Sequence, residues 1–523
     1  MPMLGRRSML LAVAAFAALR ARAANQSASA TQPAPRSAHV GINLAGIAYW
    51  TTQFPFADLV KNSGGWSLRE RGGANDAKPV LTPDGYPASL QPGQRAVLAV
   101  AWGDTRYATG EYVVHWDGDG EIGFPGVTAK VTSRAPGRMV LDVRENRGQL
   151  WVSIERTNPA DPVRRLRFLW PGTESTHEAQ PFNPEFLARL APFQTLRFMD
   201  WGATNGSPVV QWSERAQPGE LTYASPRGVP LETMIALANA LNANPWFCIP
   251  HQADDDYVRR FAALVQARLA PNLVATIEYS NEVWNGGFAQ TCWALAQSQR
   301  LGLPMPSGQA SAFYAERVLN IAAIFADVFG AAQRKRWSVV VAGQAAWTQF
   351  AANALAWKDT AARVDSLAIA PYFRAAAAAD PKQVDATLAL DADAIHAQML
   401  ASIDGEVRSR IAENAKLAQR YRLRLVGYEG GAHDVSFFFP ADKQDRMTAL
   451  FASAHRHPRM RNVYRRYYET WIAAGGAVLN QYNDIGRWSK WGFWSVLEHV
   501  TQDPASAPKY QALLETIAAH PAP

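Results

Sequence analysis

From residue 181 onward the chain repeats one rhythm: a short run rich in β-branched and aromatic residues, a polar loop, then a longer amphipathic stretch. The runs are TLRFMDW (195–201), PWFCIPH (245–251), VATIEYS (274–280), WSVVVAGQ (337–344), SLAIAPYF (366–373), LRLVGYE (423–429) and GAVLNQY (476–482). Between them lie stretches such as LETMIALANALNA and DDYVRRFAALVQARLA, with apolar residues at helical spacing. Asn183-Pro184-Glu185 carries the cap, the proline and the early acid of a helix start. Strands that alternate with helices must pair in parallel and bury both faces, which is why the runs are apolar almost throughout. HVGINLAG (39–46) adds an eighth run. Eight such units close into a (β/α)8 TIM barrel, and this is the fold class expected, α/β, with the barrel over 38–62 and 181–523.

Residues 63–180 break the rhythm. Alternating runs (RAVLAVAW, EYVVHW, TAKVTSR, RMVLDVRE, QLWVSIER, RRLRFLW) are separated by Pro, Gly and Asp turns, which predicts an inserted all-β sandwich of about seven strands after barrel strand 1. Within it DGDGE (117–121) reads as a hairpin turn, because it lacks the rest of a calcium loop.

The N-terminus adds a second message. Arg6-Arg7, the apolar run SMLLAVAAFAAL and the small residues around ARA-A make 1–23 an expected signal peptide. The arginine pair resembles a twin-arginine signal, and an ordinary secretory signal with two arginines reads the same way. Residues 24–37, ANQSASATQPAPRS, read as a disordered linker. The product is therefore expected to be periplasmic or secreted, with no stable membrane insertion. Of the 52 basic side chains four fall within 1–23, leaving 48 against 45 acidic ones, so nucleic acid is not an expected partner. Two cysteines, Cys248 and Cys292, make no disulfide framework, and both sit in apolar runs that predict buried thiols.

In a TIM barrel, polar residues at the C-terminal ends of strands are the candidates for chemistry. Strand 2 ends near Arg197, Asp200 and Trp201, strand 3 at His251, strand 4 at Asn281-Glu282, strand 6 at Tyr372, strand 7 at Glu429 and strand 8 near Asn480 and Tyr482. Glu282 and Glu429 fall on opposite walls, as a carboxyl pair flanking a scissile glycosidic bond requires. Glu278 lies inside its strand, where pairing with a helix cation is expected. His251 is followed by Asp254, Asp255 and Asp256, which read as the start of the next helix and not as metal ligands. Trp50, Trp201, Trp284, Trp347, Trp488, Trp491 and Trp494 crowd the same rim, and flat indole faces suit sugar rings.

Asn281-Glu282 within YSNEVWN, paired with Glu429 at strand 7, resembles the signature of the retaining glycoside hydrolases of clan A, the "4/7" barrels. The resemblance covers about 38–62 and 181–517 and stops short of the insertion. It implies that Glu282 is the acid/base and Glu429 the nucleophile. It also implies that Arg197, His251 and Tyr372 orient the nucleophile or line the subsite of the cleaved sugar, and that no cofactor or metal is needed. Asn281 is then expected to bond a sugar hydroxyl, with Trp201, Trp284, Trp347 and Trp491 as further substrate contacts. Glu282 must hold its proton near neutral pH, and the charge of Glu429 is expected to be the main cause. The function expected is an exported retaining β-glycoside hydrolase acting by double displacement on a polysaccharide, β-glucan-like or an exopolysaccharide. The reading from another class is a non-catalytic polysaccharide-binding protein on the same barrel. A metal-dependent deacetylase or an esterase lacks its His/Asp cluster or its G-x-S-x-G elbow.

Overall fold

The computed structural model describes residues 36–70, 73–74 and 77–522. The signal peptide and most of the linker expected at the N-terminus lie outside the described residues. The eight runs form a closed parallel barrel in chain order: Val40–Asn43, Thr195–Arg197, Asn244–Ile249, Ala275–Tyr279, Trp337–Ala342, Ser366–Ile369, Arg424–Gly427 and Leu479–Gln481. Strand 8 returns to strand 1, with Ile42 opposite both Leu196 and Gln481. Alternate residues of the strands divide between two surfaces. Trp246, Cys248, Val340, Ala342, Ala368, Val426 and Tyr428 fill the barrel interior, while Phe247, Ile249, Ile277, Val341 and Leu367 join the larger core under the helices. Gly41 is required by that interior, since a Cβ there would stand 2.1 Å from Asn480 Oδ1.

The helix starts follow the expected caps. Asn183 accepts from the Glu185 amide at 2.9 Å with Pro184 in the first turn, and Asp254 accepts from the Tyr257 amide at 2.7 Å. Asp255 and Asp256 stand in that helix's first turn, where they complement its dipole and pair with Arg317 and Arg260.

Between barrel strands 1 and 2 the chain builds two antiparallel sheets. One has four strands (Gly110–Asp117, Ala129–Ala135, Arg138–Val143, Arg164–Leu169) and the other five (Ser67–Glu70, Gly73–Ala74, Gln94–Ala101, Gly120–Gly123, Leu150–Thr157). That makes nine strands among the described residues where about seven were expected, and the strands that no alternating run announced, Ser67–Glu70, Gly73–Ala74 and Gly120–Gly123, are only two to four residues long. The DGDGE turn is not a hairpin. Gly110–Asp117 pairs with strands of the first sheet and Gly120–Gly123 with Leu150–Thr157 of the second, so the turn carries the chain from one sheet to the other. Gly118, at φ +84°, is needed there because a Cβ would meet the Pro162 carbonyl at 2.2 Å. The insertion is seated on the loop after barrel strand 1: Phe54 packs on Trp170 at 5.5 Å, and the Asp58 carboxylate accepts from the Phe168 amide at 3.0 Å.

Two further expectations need correction. Ser37, at the end of the expected linker, is fully buried, and the Arg36 guanidinium donates to the Leu241 and Asn242 carbonyls, so the ordered fold begins by residue 36. Cys248 is a buried thiol inside the barrel, but Cys292 is exposed, because its helix Ala289–Arg300 turns that face outward. Among the described residues, no helix is long and apolar enough to cross a membrane.

Candidate active site

Arg197 ends barrel strand 2 and is fully buried at the centre of the site. Its Nη1 donates to Glu429 Oε1 at 2.7 Å and to Asn43 Oδ1 at 3.0 Å. Its Nε and Nη2 donate to Glu278 Oε2 at 3.1 and 2.9 Å, and Nη2 also reaches Asn281 Oδ1 at 2.9 Å. One guanidinium thus ties together strands 1, 2, 4 and 7. Its face lies over the Tyr428 ring, 5.1 Å from the centroid. Glu278 therefore pairs across the barrel and not with a helix cation as expected. Its Oε2 also accepts from Trp246 Nε1 at 2.8 Å. Being wholly enclosed, Glu278 is pushed up by burial, against the pull of Arg197.

Glu429 follows strand 7 and is 5 % exposed. Besides Arg197 it accepts from the Tyr372 hydroxyl, which donates to Oε2 at 2.9 Å. Both oxygens are thus fixed by donors from different strands, and the carboxylate is aimed without support from its own loop. Glu282 is different. Strand 4 ends at Tyr279, and Ser280 and Glu282 then adopt positive φ (58° and 44°), a left-handed conformation that costs a non-glycine residue free energy. Glu282 Oε1 accepts from the Tyr428 hydroxyl and Oε2 from Asn285 Nδ2, each at 2.9 Å. Its carboxyl is raised to about 7, first by burial and second by the charge of Glu429. The order of causes corrects the expectation that Glu429 dominates. The residue is half-buried by surface area, yet protein surrounds the carboxyl closely enough to strip most of its hydration.

Asn43 joins the two glutamates, since its Oδ1 accepts from Arg197 and its Nδ2 donates to the Tyr428 carbonyl at 3.0 Å, and they experience this system differently. Glu429 faces a guanidinium, whereas Glu282 has only neutral donors. The two carboxyls therefore sit in unequal surroundings, and the raise on Glu282 favours its protonated form.

Asn281 is 2 % exposed and engaged at both ends of its amide, to Arg197 and, through Nδ2, to Asn205 Oδ1 at 3.1 Å. One N–H of that amide remains for a ligand. Asp200 was visible only as a strand-end acid. Tyr482 donates to its Oδ2 at 3.1 Å, and burial followed by the charge of Glu429 raises it to about 7. Tyr372, which bonds Glu429, begins an aromatic cluster with His433, Tyr482 and Trp494, edge to face or tilted, with centroids 5.2 to 6.5 Å apart.

Other sequence candidates are not drawn into this network. His251 is 4 % exposed, stands edge-on to Trp293 at 6.2 Å, and is pushed down by burial. Among the described residues its Nδ1 has no hydrogen-bond partner. Trp201 is fully buried, packed by Phe56, Phe186 and Phe198, which corrects its expected place on the rim. The chain turns sharply after Phe198, with the Gly202 amide bonded to the Phe198 carbonyl at 2.8 Å, and this folds Trp201 back onto the helix Pro184–Leu190. Trp284 and Trp347 are half-buried against the core. Trp491 is 58 % exposed and lies against Phe437 at 5.0 Å. Trp488 turns inward and donates to the Ser495 carbonyl, so of the Trp group at 488–494 only Trp491 forms an open face. Sequence reasoning missed Tyr428, which reads as one more core aromatic ahead of Glu429. A cavity at the opposite end of the barrel, lined by Thr195, Trp246, Thr276, Ser338 and Val426 among others, brings no carboxylate together.

No protein-family model matches the chain, and no curated protein matches its sequence. Among solved structures, it is similar to the CBM22-GH10 modules of the Clostridium thermocellum endo-1,4-β-D-xylanase 10B at 10 % identity, covering 91 % of this chain and 97 % of that one with a TM-score of 0.38. It is similar to a fungal β-1,4-galactanase (11 % identity, 64 % and 92 % covered, TM-score 0.36) and to the Thermotoga petrophila endo-β-1,4-mannanase (11 %, 64 % and 72 %, 0.37). The barrel itself is established by its own strand pairing, closed from the eighth strand to the first.

Proposed function

We propose that the chain is a retaining β-glycoside hydrolase acting on a polysaccharide by double displacement. The observation that carries this reading is the unequal carboxyl pair at the ends of strands 4 and 7. Glu282 is raised to about 7, and Glu429 is bound by Arg197 and Tyr372. In this reading Glu282 protonates the departing glycosidic oxygen while Glu429 attacks the anomeric carbon. Glu282, now ionised, then takes a proton from the water that releases the sugar from Glu429. Arg197 and Tyr372 hold the nucleophile, Asn281 offers its remaining N–H to the sugar, and Tyr372, Tyr482 and Trp494 wall the subsite. Trp491 and the insertion's Trp102, 41 % exposed, offer faces for more distant sugar rings. We further propose that the protein is exported and works in the periplasm or outside the cell, where polymeric glycans are met. Fractionation of cells making the full chain tests that part.

The test is to screen β-glucans, mannans, xylans and bacterial exopolysaccharides, and to follow the first product by proton NMR. The β-anomer should appear first and mutarotate afterwards. The α-anomer first would overturn the retaining mechanism, and no cleavage across the panel would favour a binding protein.

The pH dependence follows from Glu282. A carboxyl raised on folding keeps a proton that the unfolded chain loses above pH about 4, so its contribution to stability is full at low pH and disappears as pH rises through about 7. Activity should fall over the same range, giving a basic limb near pH 7. The Tyr428 hydrogen bond favours ionised Glu282, so Tyr428→Phe should move that limb to higher pH, as read from kcat/KM against pH. A limb unmoved, or moved to lower pH, would show that another group sets it.

A further inference from the structure

On the helix Ala392–Ser402, which follows barrel strand 6, Asp393 and His396 are three residues apart and share a face. That helix packs on Gln444–Arg456, the helix after strand 7, whose C-cap is His457. One ligand atom from each of Asp393, His396 and His457 lies within 4.8 Å of the other two. The three come from segments 61 residues apart in the chain, so no spacing motif announces them.

His396 is the informative member. It is 4 % exposed, and its Nε2 lies 2.9 Å from the Ala454 carbonyl, so that nitrogen carries the proton. Its Nδ1 is left with a lone pair, buried and, among the described residues, without a hydrogen-bond partner. A buried acceptor left in this state is destabilising. A histidine that donates one N–H to a backbone carbonyl and presents the other nitrogen bare is arranged as a metal ligand, because the carbonyl fixes both the tautomer and the ring. The neighbours supply what such a nitrogen needs: a second imidazole, its ring centroid 5.4 Å away, and a carboxylate. Asp393 and His457 each have a polar contact with Arg459. Its Nη1 holds Asp393 Oδ2 at 2.5 Å, leaving Oδ1, and its amide N lies 3.3 Å from His457 Nδ1.

We propose that Asp393, His396 and His457 form a binding site for a zinc-class divalent ion, which takes the place of the Arg459 guanidinium as counter-charge to Asp393. Two imidazoles and a carboxylate suit a borderline cation of this type, whereas magnesium and calcium call for oxygen ligands. The ion would clasp the helices that follow strands 6 and 7. Two residues before His457, His455 holds Asp434 at 2.9 Å, in the loop that leaves Glu429, so the clasp braces the back of the candidate active site without entering it.

The experiment is equilibrium dialysis of the chain, expressed without a histidine tag and stripped by chelator, against Zn2+ or Co2+. One ion per chain is expected, unaffected by excess Mg2+ or Ca2+, with a thermal midpoint that rises on zinc addition. His396→Ala and His457→Ala should each weaken binding by about tenfold or more, a loss at least as large as removing an outer-shell partner. Arg459→Ala should strengthen it by removing the competitor. His457 stands partly exposed at a helix end, so its variant keeps the test decisive should His396→Ala fail to fold. No saturable binding at millimolar zinc, or binding unchanged in His457→Ala, would overturn the proposal.

Discussion

Glu429→Gln is expected to remove turnover almost completely, by about 10⁴–10⁶-fold, while the protein stays folded and still binds its glycan. The substitution keeps the shape of the side chain and its contact with Tyr372, but it removes the proposed nucleophile and leaves Arg197 facing a neutral amide. Glu282→Gln should cost about 10²–10⁴-fold, the range of a lost general acid, and less on substrates whose leaving group departs without a proton. That difference separates the roles. A poor leaving group should suffer in the Glu282 variant far more than an activated aryl glycoside, whereas the Glu429 variant should fail on both. Near-normal rates in either variant, measured on the polysaccharide found by screening, would remove that residue from the mechanism. Glu282→Gln should also be more stable relative to the parent at pH 8 than at pH 5, because the parent alone must give up a proton there.

Arg197→Met should be the most destabilising single change in the site, by about 3–5 kcal/mol, because it strands Glu278 and weakens the hold on Glu429. Both carboxylates depend on this one guanidinium, and Glu278 is fully buried with Oε1 already lacking a partner among the described residues. Adding Glu278→Met to Arg197→Met should restore much of the stability, since the stranded charge is gone and the pocket is filled with apolar volume. It should not restore activity, because Glu429 still lacks its positioning partner. Urea unfolding of the parent, the two single variants and the double variant tests this. A double variant no more stable than the arginine variant alone would mean that Arg197 acts through packing and not through charge.

The barrel was legible because parallel strands covered on both faces must be apolar at nearly every position, so each strand appears as a run bounded by polar loops. All eight runs are strands, shorter at their ends than the runs that announced them. Strand ends were therefore placed well enough to find Arg197, Tyr372, Asn281, Glu282 and Glu429, which the structure brings into one network. What joins them was not legible. Whether Glu278 faces a helix or the barrel centre depends on register across strands 2, 3 and 4, which no local pattern encodes. Tyr428 reads as one more core aromatic until its hydroxyl is seen to reach Glu282. Trp201 and Trp491 look alike in sequence, yet one is fully buried and the other 58 % exposed, because the backbone turn after Phe198 decides which way the indole points. In the insertion, Gly118 signals a tight turn equally well for a hairpin and for a change of sheet.

The most direct measurement is covalent trapping of the nucleophile. A 2-deoxy-2-fluoro glycoside of the sugar identified by screening, carrying a good leaving group, should form the glycosyl-enzyme and release it slowly, because the fluorine destabilises the oxocarbenium-like transition states of both steps. Peptide mass mapping of the treated protein should find one sugar per chain, on Glu429, and none in the Glu429→Gln variant. A sugar carried by Glu282 or by any other residue, or an enzyme that cleaves its polymer yet never forms an adduct, would contradict the account.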